Sequence, residues 1–546
     1  MMLPLFLSRR VRRAARTQFG WRRLRPGQLG PMKAVLRRRD ALVVLPTGGG
    51  KSAVYQVPAT LLPGPTVVIS PLLALQQDQI AALNNRPGMH AVRVSSAETP
   101  GQRAAALEAL RRGEARFLFI TPEQLAQPER LAEVRALKPS LVAVDEAHCI
   151  SSWGYDFRPD YLALGHFIDG LGRPPVLALT ATASPPVRDD ITARLRLRDP
   201  LVVVSGLDRS NLFLEVAHCP DEDYRWRRLV ALLRADTGPG IVYVPTRRAA
   251  EELGERLSAA GFGAQAYHGG MAAGMREKRH RDFLAGKVPV MVATSAFGMG
   301  IDKPDIRWVA HMALPDSPDS YQQEIGRAGR DGDPARALLL WRAEDVALQR
   351  FFTGGAPDEK ELRDLAAVLR TGPLSRTALR DRTGLGTRRL GQLLGLLEEV
   401  GAAVPAGPHK LTAPPYAPIP AEAARAALAE VERQQALQRS RTDMMRAFAE
   451  RRSCRGQALL AYFGEHLSKP CGHCDNCAAG RAHRSNGAGP FPLHSTVRHA
   501  EWGLGMVLAY EADRMTVLFD DVGYKTLSVP VVRAQGLLST LSGVDR

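Results

Sequence analysis

A nine-residue stretch, VLPTGGGKS (44–52), joins a β-rich run to one that reads as helix. That is the setting a phosphate loop needs. Beyond Thr47, Gly48, Gly49 and Gly50 let backbone N–H groups turn toward phosphate oxygens, and the helix start adds partial positive charge. Lys51 would reach the β- and γ-phosphates of ATP, and Ser52 a Mg²⁺ ion. Leu45 breaks the strict phosphate-loop pattern, so a plain glycine-rich turn is the competing reading. The partner segment is LVAVDEAH (141–148). An apolar strand ending in Asp145 and Glu146 would set two carboxylates beside the loop. Asp145 would hold Mg²⁺ through water, and Glu146 would polarise an attacking water. Alone, the same letters would be a helix start with acidic caps. His148 would couple the γ-phosphate to later segments, its bland alternative being a polar cleft residue. Thr180 and Thr182 in ALTATA (178–183) could relay motion to a polymer groove, or simply end a strand.

A second constellation lies far downstream. Cys454, Cys471, Cys474 and Cys477 read C-x16-C-x2-C-x2-C. Thiolates at two-residue gaps bite one metal ion, and a fourth from a preceding helix closes a tetrahedron. Zinc is the default filling, and a [4Fe–4S] cluster also takes four cysteines. Four thiolates leave no open position for catalysis, so the role is structural; His473, inside the run, is not needed as a ligand. Arg451, Arg452 and Arg455 could meet DNA phosphates or be a solvated face.

These residues need elements to hold them. Apolar runs at 41–46, 66–70, 116–121, 141–146 and 176–181 alternate with helical stretches, as in a parallel sheet covered on both faces. A second series follows at 240–246, 263–268, 288–294 and 307–312. The fold class is therefore α/β, with two successive parallel-sheet lobes and a cleft between them. Beyond Trp341 the strand pattern stops. Residues 357–404 read as three helices with helix-turn-helix spacing, Leu390, Leu393, Leu394 and Leu397 sharing one face. Residues 405–419 could form a wing, and 421–467 read as two long helices. A linker (479–490) and a β-rich tail from Phe491 close the chain.

Composition bounds the partners. The 546 residues carry a formal net charge of +17, which favours a polyanion, nucleic acid before membrane. No apolar run is long enough to span a bilayer. The first residues place an apolar patch ahead of arginines, the reverse of a secretory signal; they read as an ordinary first helix, with an Arg-rich organelle presequence as the competing reading. Sparse cysteines outside the 454–477 cluster point to a reducing compartment, here the cytoplasm or a bacterial nucleoid.

With these motifs in hand the chain resembles superfamily 2 helicases, and the RecQ family in particular, over residues 17–353 and 440–478. The distinguishing stretch is CISSWGYDFRPDY (149–161), directly after DEAH. It looks like the family's aromatic loop, which couples single-strand binding to ATP hydrolysis. Trp153, Tyr155 and Phe157 offer rings for base stacking and Arg158 a phosphate contact. The resemblance also implies that Gln28 reads the adenine edge while Trp21 and Arg25 sandwich the base. SPLLALQQDQ (70–79) resembles a backbone-tracking motif. In the second lobe, VATSAFGMGIDKPDIRWVAH (292–311) and SYQQEIGRAGRDG (320–332) match late helicase motifs. Asp302 would help couple the lobes, and Gln323, Arg327 and Arg330 would face back across the cleft, with Arg330 as arginine finger. The position of the cysteines implies the family's Zn²⁺ module.

The resemblance has departures. In the family a winged helix usually follows the zinc site; here the helix-turn-helix precedes it, with Arg388 and Arg389 opening its second helix toward DNA. The tail (491–546) looks like the SH3-like, Tudor-like barrel of UvrD-type helicases, which would take a protein or nucleic-acid partner. The expected organisation is then lobe 1 (1–205), lobe 2 (206–353), a winged-helix-like insertion (354–420), a zinc module (421–478), a linker (479–490) and a barrel (491–546). The expected activity is an ATP-dependent, 3′→5′ DNA helicase acting as a monomer on single strands and duplex junctions in repair or recombination. A translocase with little unwinding and a DNA-binding regulator are the alternatives.

Overall fold

A computed structural model describes residues 3–71, 73–95, 98–151, 161–298, 303–352, 357–407, 410–465, 467–482, 489–493, 495–511, 513–519 and 522–540. The chain divides into two compact units. One holds Met1–Val346, Met444–Ala488 and Leu508–Ala512; the other holds Ala347–Asp443, Gly489–Val507 and Asp513–Arg546.

The first unit contains two parallel sheets. The first is built from β1 (Ala41–Val44), β2 (Thr66–Ile69), β3 (Ala91–Val94), β4 (Phe117–Ile120), β5 (Leu141–Val144), β6 (Val176–Thr180) and β7 (Leu201–Val204). Its order is β3-β4-β2-β5-β6-β1-β7. Every residue of β1, β2, β4, β5 and β6 is buried, which is why these runs are apolar throughout rather than alternating. The order sets the C-terminal ends of β1, β6 and β5 side by side. Those ends carry the glycine loop, Thr180 and the acidic pair, at the edge where open α/β sheets bind ligands.

The second sheet comprises β8 (Leu212–His218), β9 (Gly240–Tyr243), β10 (Ala264–Tyr267), β11 (Val290–Ala293), β12 (Trp308–His311) and β13 (Ala335–Trp341), in the order β10-β11-β9-β12-β13-β8. Strands β3, β7, β8 and β13 were not among the expected runs. In β3, β7 and β8 about half the residues or more are partly exposed, so they lack the solid apolar signal. The expected runs also extend one to three residues past the strands, into the loops that hold the functional groups.

In the second unit the helices Glu359–Leu369, Arg376–Thr383 and Thr387–Glu399 form around Leu390, Leu393, Leu394 and Leu397, all buried. Three short strands, Leu374–Ser375, Val404–Pro405 and Lys410–Thr412, join into one sheet beside these helices. Two- and three-residue strands carry no readable period, so their positions were not legible in the sequence. The two long helices expected over 421–467 are instead one of 31 residues, Pro420–Glu450, and one of eight, Arg455–Tyr462. The unit boundary falls inside the longer one, between Asp443 and Met444. The tail forms a five-stranded antiparallel sheet within residues 496–540. Most of the expected linker, residues 483–488, lies outside the described residues.

Candidate functional site

The glycine loop leaves β1 and enters the helix Lys51–Ala59. Gly48 and Gly50 have φ of 77° and 78°, in the left-handed region that a Cβ disfavours. Gly50 caps the helix and, being glycine, offers no side-chain oxygen to the helix start. The loop carbonyls are tied back instead. Gln28 Nε2 donates to Gly49 O (3.3 Å) and Gly50 O (3.0 Å), and Arg25 Nη1 donates to Gly48 O. Gly49 N–H donates back to Pro46 O (2.8 Å), so the other N–H groups of the turn are what the loop offers an anion. Both members of the expected base sandwich have protein contacts here. Arg25 is engaged with the loop, and Trp21 stacks on Phe19 with centroids 4.6 Å apart. Gln28 stays beside the loop, 3% exposed.

Asp145 and Glu146 follow β5, both nearly buried. Asp145 Oδ1 accepts from the Glu146 backbone N–H (3.1 Å), and Oδ2 from Gln79 Nε2 (3.3 Å). Burial and the neighbouring Glu146 charge push the Asp145 carboxyl up to about 6, while Lys51 pulls it down. A cation placed there would relieve that desolvated charge, so the residues fit Mg²⁺. The Gln79 amide is itself oriented, because Tyr55 OH donates to its Oε1 (3.0 Å). Neither Tyr55 nor Gln79 was singled out from sequence. Tyr55 stands four residues past Lys51 on one helix, a spacing that places both on one face. Gln79 lay within the stretch read only as backbone tracking.

Glu146 adopts φ 48° and ψ 47°, a left-handed conformation costing of order 1–3 kcal/mol for a residue with a side chain. Its Oε2 lies 3.4 Å from His148 Nδ1, which is 2.9 Å from Thr180 Oγ1. Thr180 donates its hydroxyl proton to Thr182 O (2.9 Å), so His148 Nδ1 carries the proton of that contact. His148, Thr180 and Thr182 thus form one chain, with the Glu146 carboxylate beside its first member. Thr182 opens on a cavity also lined by Thr47, Arg209, Gln323, Phe463 and His473, where both sheets and the cysteine module meet.

The second sheet brings its groups to the same loop. The helix Pro318–Ile325, capped by Ser317, leads into the GRAGR segment. A Cβ on Gly48 would lie 3.2 Å from Arg330 Cγ, so the Arg330 side chain runs along the glycine loop. A Cβ on Gly326 would lie 3.9 Å from Thr47 Oγ1. Arg327 is 2% exposed and lies beside Tyr243. Arg209 and Asn211, unnoticed in the sequence, hold the left-handed Gly329 by donating to its carbonyl. Trp153, Tyr155, Phe157, Arg158 and Asp302 lie outside the described residues.

The four cysteine sulfurs all lie within 4.8 Å of one another. Tetrahedral zinc with bonds of about 2.3 Å sets sulfurs about 3.8 Å apart; Cys471 Sγ and Cys477 Sγ are 3.9 Å apart. A four-iron cluster, each sulfur on a different iron, would need them farther apart. Backbone N–H groups of Cys471 and Gln457 donate to Cys454 Sγ, and that of Cys477 to Cys474 Sγ, as suits thiolates. A Cβ on Gly456 would come within 2.7 Å of Cys471 Cβ, so the approach requires glycine. His473 turns away to pair with Asp208 (3.1 Å). Arg455 is not a phosphate contact: 4% exposed, it grips Asp475 through two nitrogens, and Asp475 accepts from Val216 N–H on β8. His473 O also accepts from Leu214 N–H, so the module covers the outer edge of β8. In the second unit Arg389 pairs with Glu361 (2.7 Å), both partly exposed, whereas Arg388 is exposed.

The sequence matches the DEAD/DEAH box helicase family over residues 25–191, the helicase conserved C-terminal domain over 225–332 and the RecQ zinc-binding family over 422–478. It is 35% identical over 466 residues to a probable ATP-dependent DNA helicase RecS of Bacillus subtilis, covering 84% of this chain and 90% of that protein. The chain belongs to the RecQ helicase family. An ATP-dependent DNA helicase RecQ of Bacillus subtilis is 40% identical over 350 residues, 64% of this chain and 59% of its own length. The chain thus spans about three fifths of that longer RecQ. In fold it is similar to the helicase MrfA bound to DNA and AMPPNP, with a TM-score of 0.52, 18% identity, and coverage of 76% of this chain and 62% of that one. RecQ membership also accounts for the filling of the cysteine site, which is zinc. Among the described residues no helix is long and apolar enough to cross a membrane.

Proposed function

We propose that this RecQ-family protein hydrolyses Mg-ATP between its two sheets and uses the cycle to move 3′→5′ along single-stranded DNA and part duplex, in repair or recombination. The observation that carries the reading is Arg330 lying along the glycine loop of the opposite lobe. An arginine there neutralises charge on the transferred phosphoryl group, and only while the lobes are together. Thr47 to Ser52 cradle the phosphates, with Lys51 at their charged end. Asp145 and Ser52 hold Mg²⁺, which neutralises charge on the β- and γ-phosphate oxygens. Gln79, fixed by Tyr55, keeps Asp145 Oδ2 in place. Glu146 orients the attacking water, and His148 passes the state of that site through Thr180 to Thr182, at the junction of the lobes. Gln323 and Arg327 support Arg330 from the second lobe, and Gln28 and Arg25 hold the loop in shape for the nucleotide. Trp153, Tyr155, Phe157 and Arg158 take the single strand, and Asp302 couples the lobes.

Residues 1–205 and 206–353 are assigned as the motor lobes, 354–420 as a winged helix and 421–478 as the zinc module. Residues 491–546 are proposed to be an SH3-like, Tudor-like barrel that takes a protein partner. The packing of Gly505 supports a closed core: a Cβ there would come within 2.6 Å of the Phe519 ring. The protein is proposed to work as a cytoplasmic monomer. The test is ATP hydrolysis with and without single-stranded DNA. Stimulation that Lys51→Ala abolishes supports the reading; hydrolysis indifferent to DNA refutes it.

A further inference from the structure

Twelve of the chain's 73 Lys and Arg residues, and none of its 56 Asp and Glu residues, fall within residues 1–39. Most of the net charge of +17 is therefore local to the first helices, not spread over the surface. The helix Leu3–Phe19 explains how such a segment stays folded. Val11, Ala14, Ala15 and Phe19 are buried in the core of the first sheet, an anchoring face spaced three to four residues apart. On the other side Arg9, Arg12, Arg13 and Arg16 are exposed, with Arg10 beside them. Arg22 and Arg23 continue the exposed series past the helix end.

Among the described residues no ion pair joins Arg9, Arg12, Arg13 or Arg16 to a carboxylate. The neighbours along the stripe are like charges at three- and four-residue spacing, which weakens a helix. Nothing within the described fold offsets that repulsion, whereas a polyanion would. The stripe from Arg9 to Arg16 is about 10 Å long at 1.5 Å per residue. That length spans about three successive phosphates of one DNA strand. Between Arg9 and Gln18 no exposed aromatic ring offers bases a stack, and Phe6, exposed one turn earlier, already has the Arg10 guanidinium over its ring at 5.9 Å. Phosphate contact without stacking suits duplex.

We propose that the outward face of the first helix is a second DNA-binding surface, which holds the phosphate backbone of duplex DNA separately from the residues between the lobes. The proposal rests on DNA being the substrate, and its test separates the two claims. The full chain and the variant R9Q/R12Q/R13Q/R16Q would be titrated with a blunt duplex at several salt concentrations. ATPase with a saturating single-stranded oligonucleotide would be measured alongside. DNA-stimulated ATPase of the unaltered chain checks the substrate reading by itself. For the variant, duplex affinity should fall at least tenfold. The slope of log K against log salt should shrink by about 3, at about 0.9 per lost phosphate contact. Maximal single-strand-stimulated ATPase should stay unchanged. The charge-keeping R9K/R12K/R13K/R16K should restore most of the slope. Unchanged duplex affinity and slope in the glutamine variant would overturn the proposal. So would loss of binding to phosphatidylserine-containing vesicles with duplex binding intact, which would make the face a lipid contact.

Discussion

The zinc module and the nucleotide site are closed in opposite ways. The four cysteines lie within 24 consecutive residues, and their support is equally local: Gly456 allows the approach, backbone N–H groups meet the sulfurs, and Arg455 clamps Asp475. The nucleotide site draws on residues from Arg25 to Arg330 and on both sheets. It also keeps unfavourable features, a left-handed Glu146 and a carboxylate pushed up by burial. A bound metal relaxes the first kind of site into a permanent brace. The second stays poised because its discomfort is relieved only when cation and nucleotide arrive.

That contrast can be broken most forcefully at Arg330. Arg330→Ala should lower kcat for ATP by about 10³-fold or more with little change in melting temperature, as for other arginine fingers. A comparable loss of stability would make Arg330 a structural residue like Arg455. Next comes Cys471→Ser, for which zinc content should fall from one per chain toward none and thermal unfolding should begin at lower temperature. Full zinc retention would show that three thiolates suffice. Arg455→Ala should act in the same direction, since Asp475, mostly covered, would lose its guanidinium partner and keep only backbone donors.

A smaller effect separates carboxylate positioning from mere packing. Gln79→Leu should raise the Mg²⁺ concentration needed for half-maximal ATPase several-fold while leaving zinc content alone. Tyr55→Phe should do the same more weakly, because it only frees the Gln79 amide to flip. Unchanged Mg²⁺ dependence in both would remove the pair from the site. The pH dependence follows with its sign. Folding raises the Asp145 pKa from 3.8 to about 6 in the metal-free protein. Its stabilising contribution is therefore complete below about 3.8 and is lost as pH rises through about 6. Mg²⁺ favours the ionised form, so the acid limb of the ATPase profile should move to lower pH as Mg²⁺ increases. The smallest expected effect lies in the second unit. Arg388→Ala should weaken duplex binding modestly, whereas Arg389→Ala should mainly lower stability by less than about 1 kcal/mol, a partly exposed ion pair.

Sequence was most informative where one physical requirement dictates residue type. A glycine at φ near 77°, an apolar strand covered on both faces, and thiolates two residues apart are legible because few alternatives satisfy them. It was least informative where a side chain had two chemically equal uses. Arg455 and Arg389 look like phosphate contacts in sequence, and only packing shows Asp475 and Glu361 as their partners. The contacts of Trp21 with Phe19 and of Arg25 with the Gly48 carbonyl were likewise not legible in sequence. Gln79 and Arg209 escaped notice because their partners are distant in the chain, and no local period marks them. The half-exposed strands β3, β7 and β8 escaped for want of a continuous apolar run.

The most direct test of the whole account is strand separation of two duplexes, one with a 3′ single-stranded tail and one with a 5′ tail, each with Mg-ATP and with the Lys51→Ala protein as control. The account predicts that the unaltered chain separates the 3′-tailed duplex, leaves the 5′-tailed one paired, and that Lys51→Ala separates neither. Separation of neither duplex by the unaltered chain, with its DNA-stimulated ATPase intact, would contradict it.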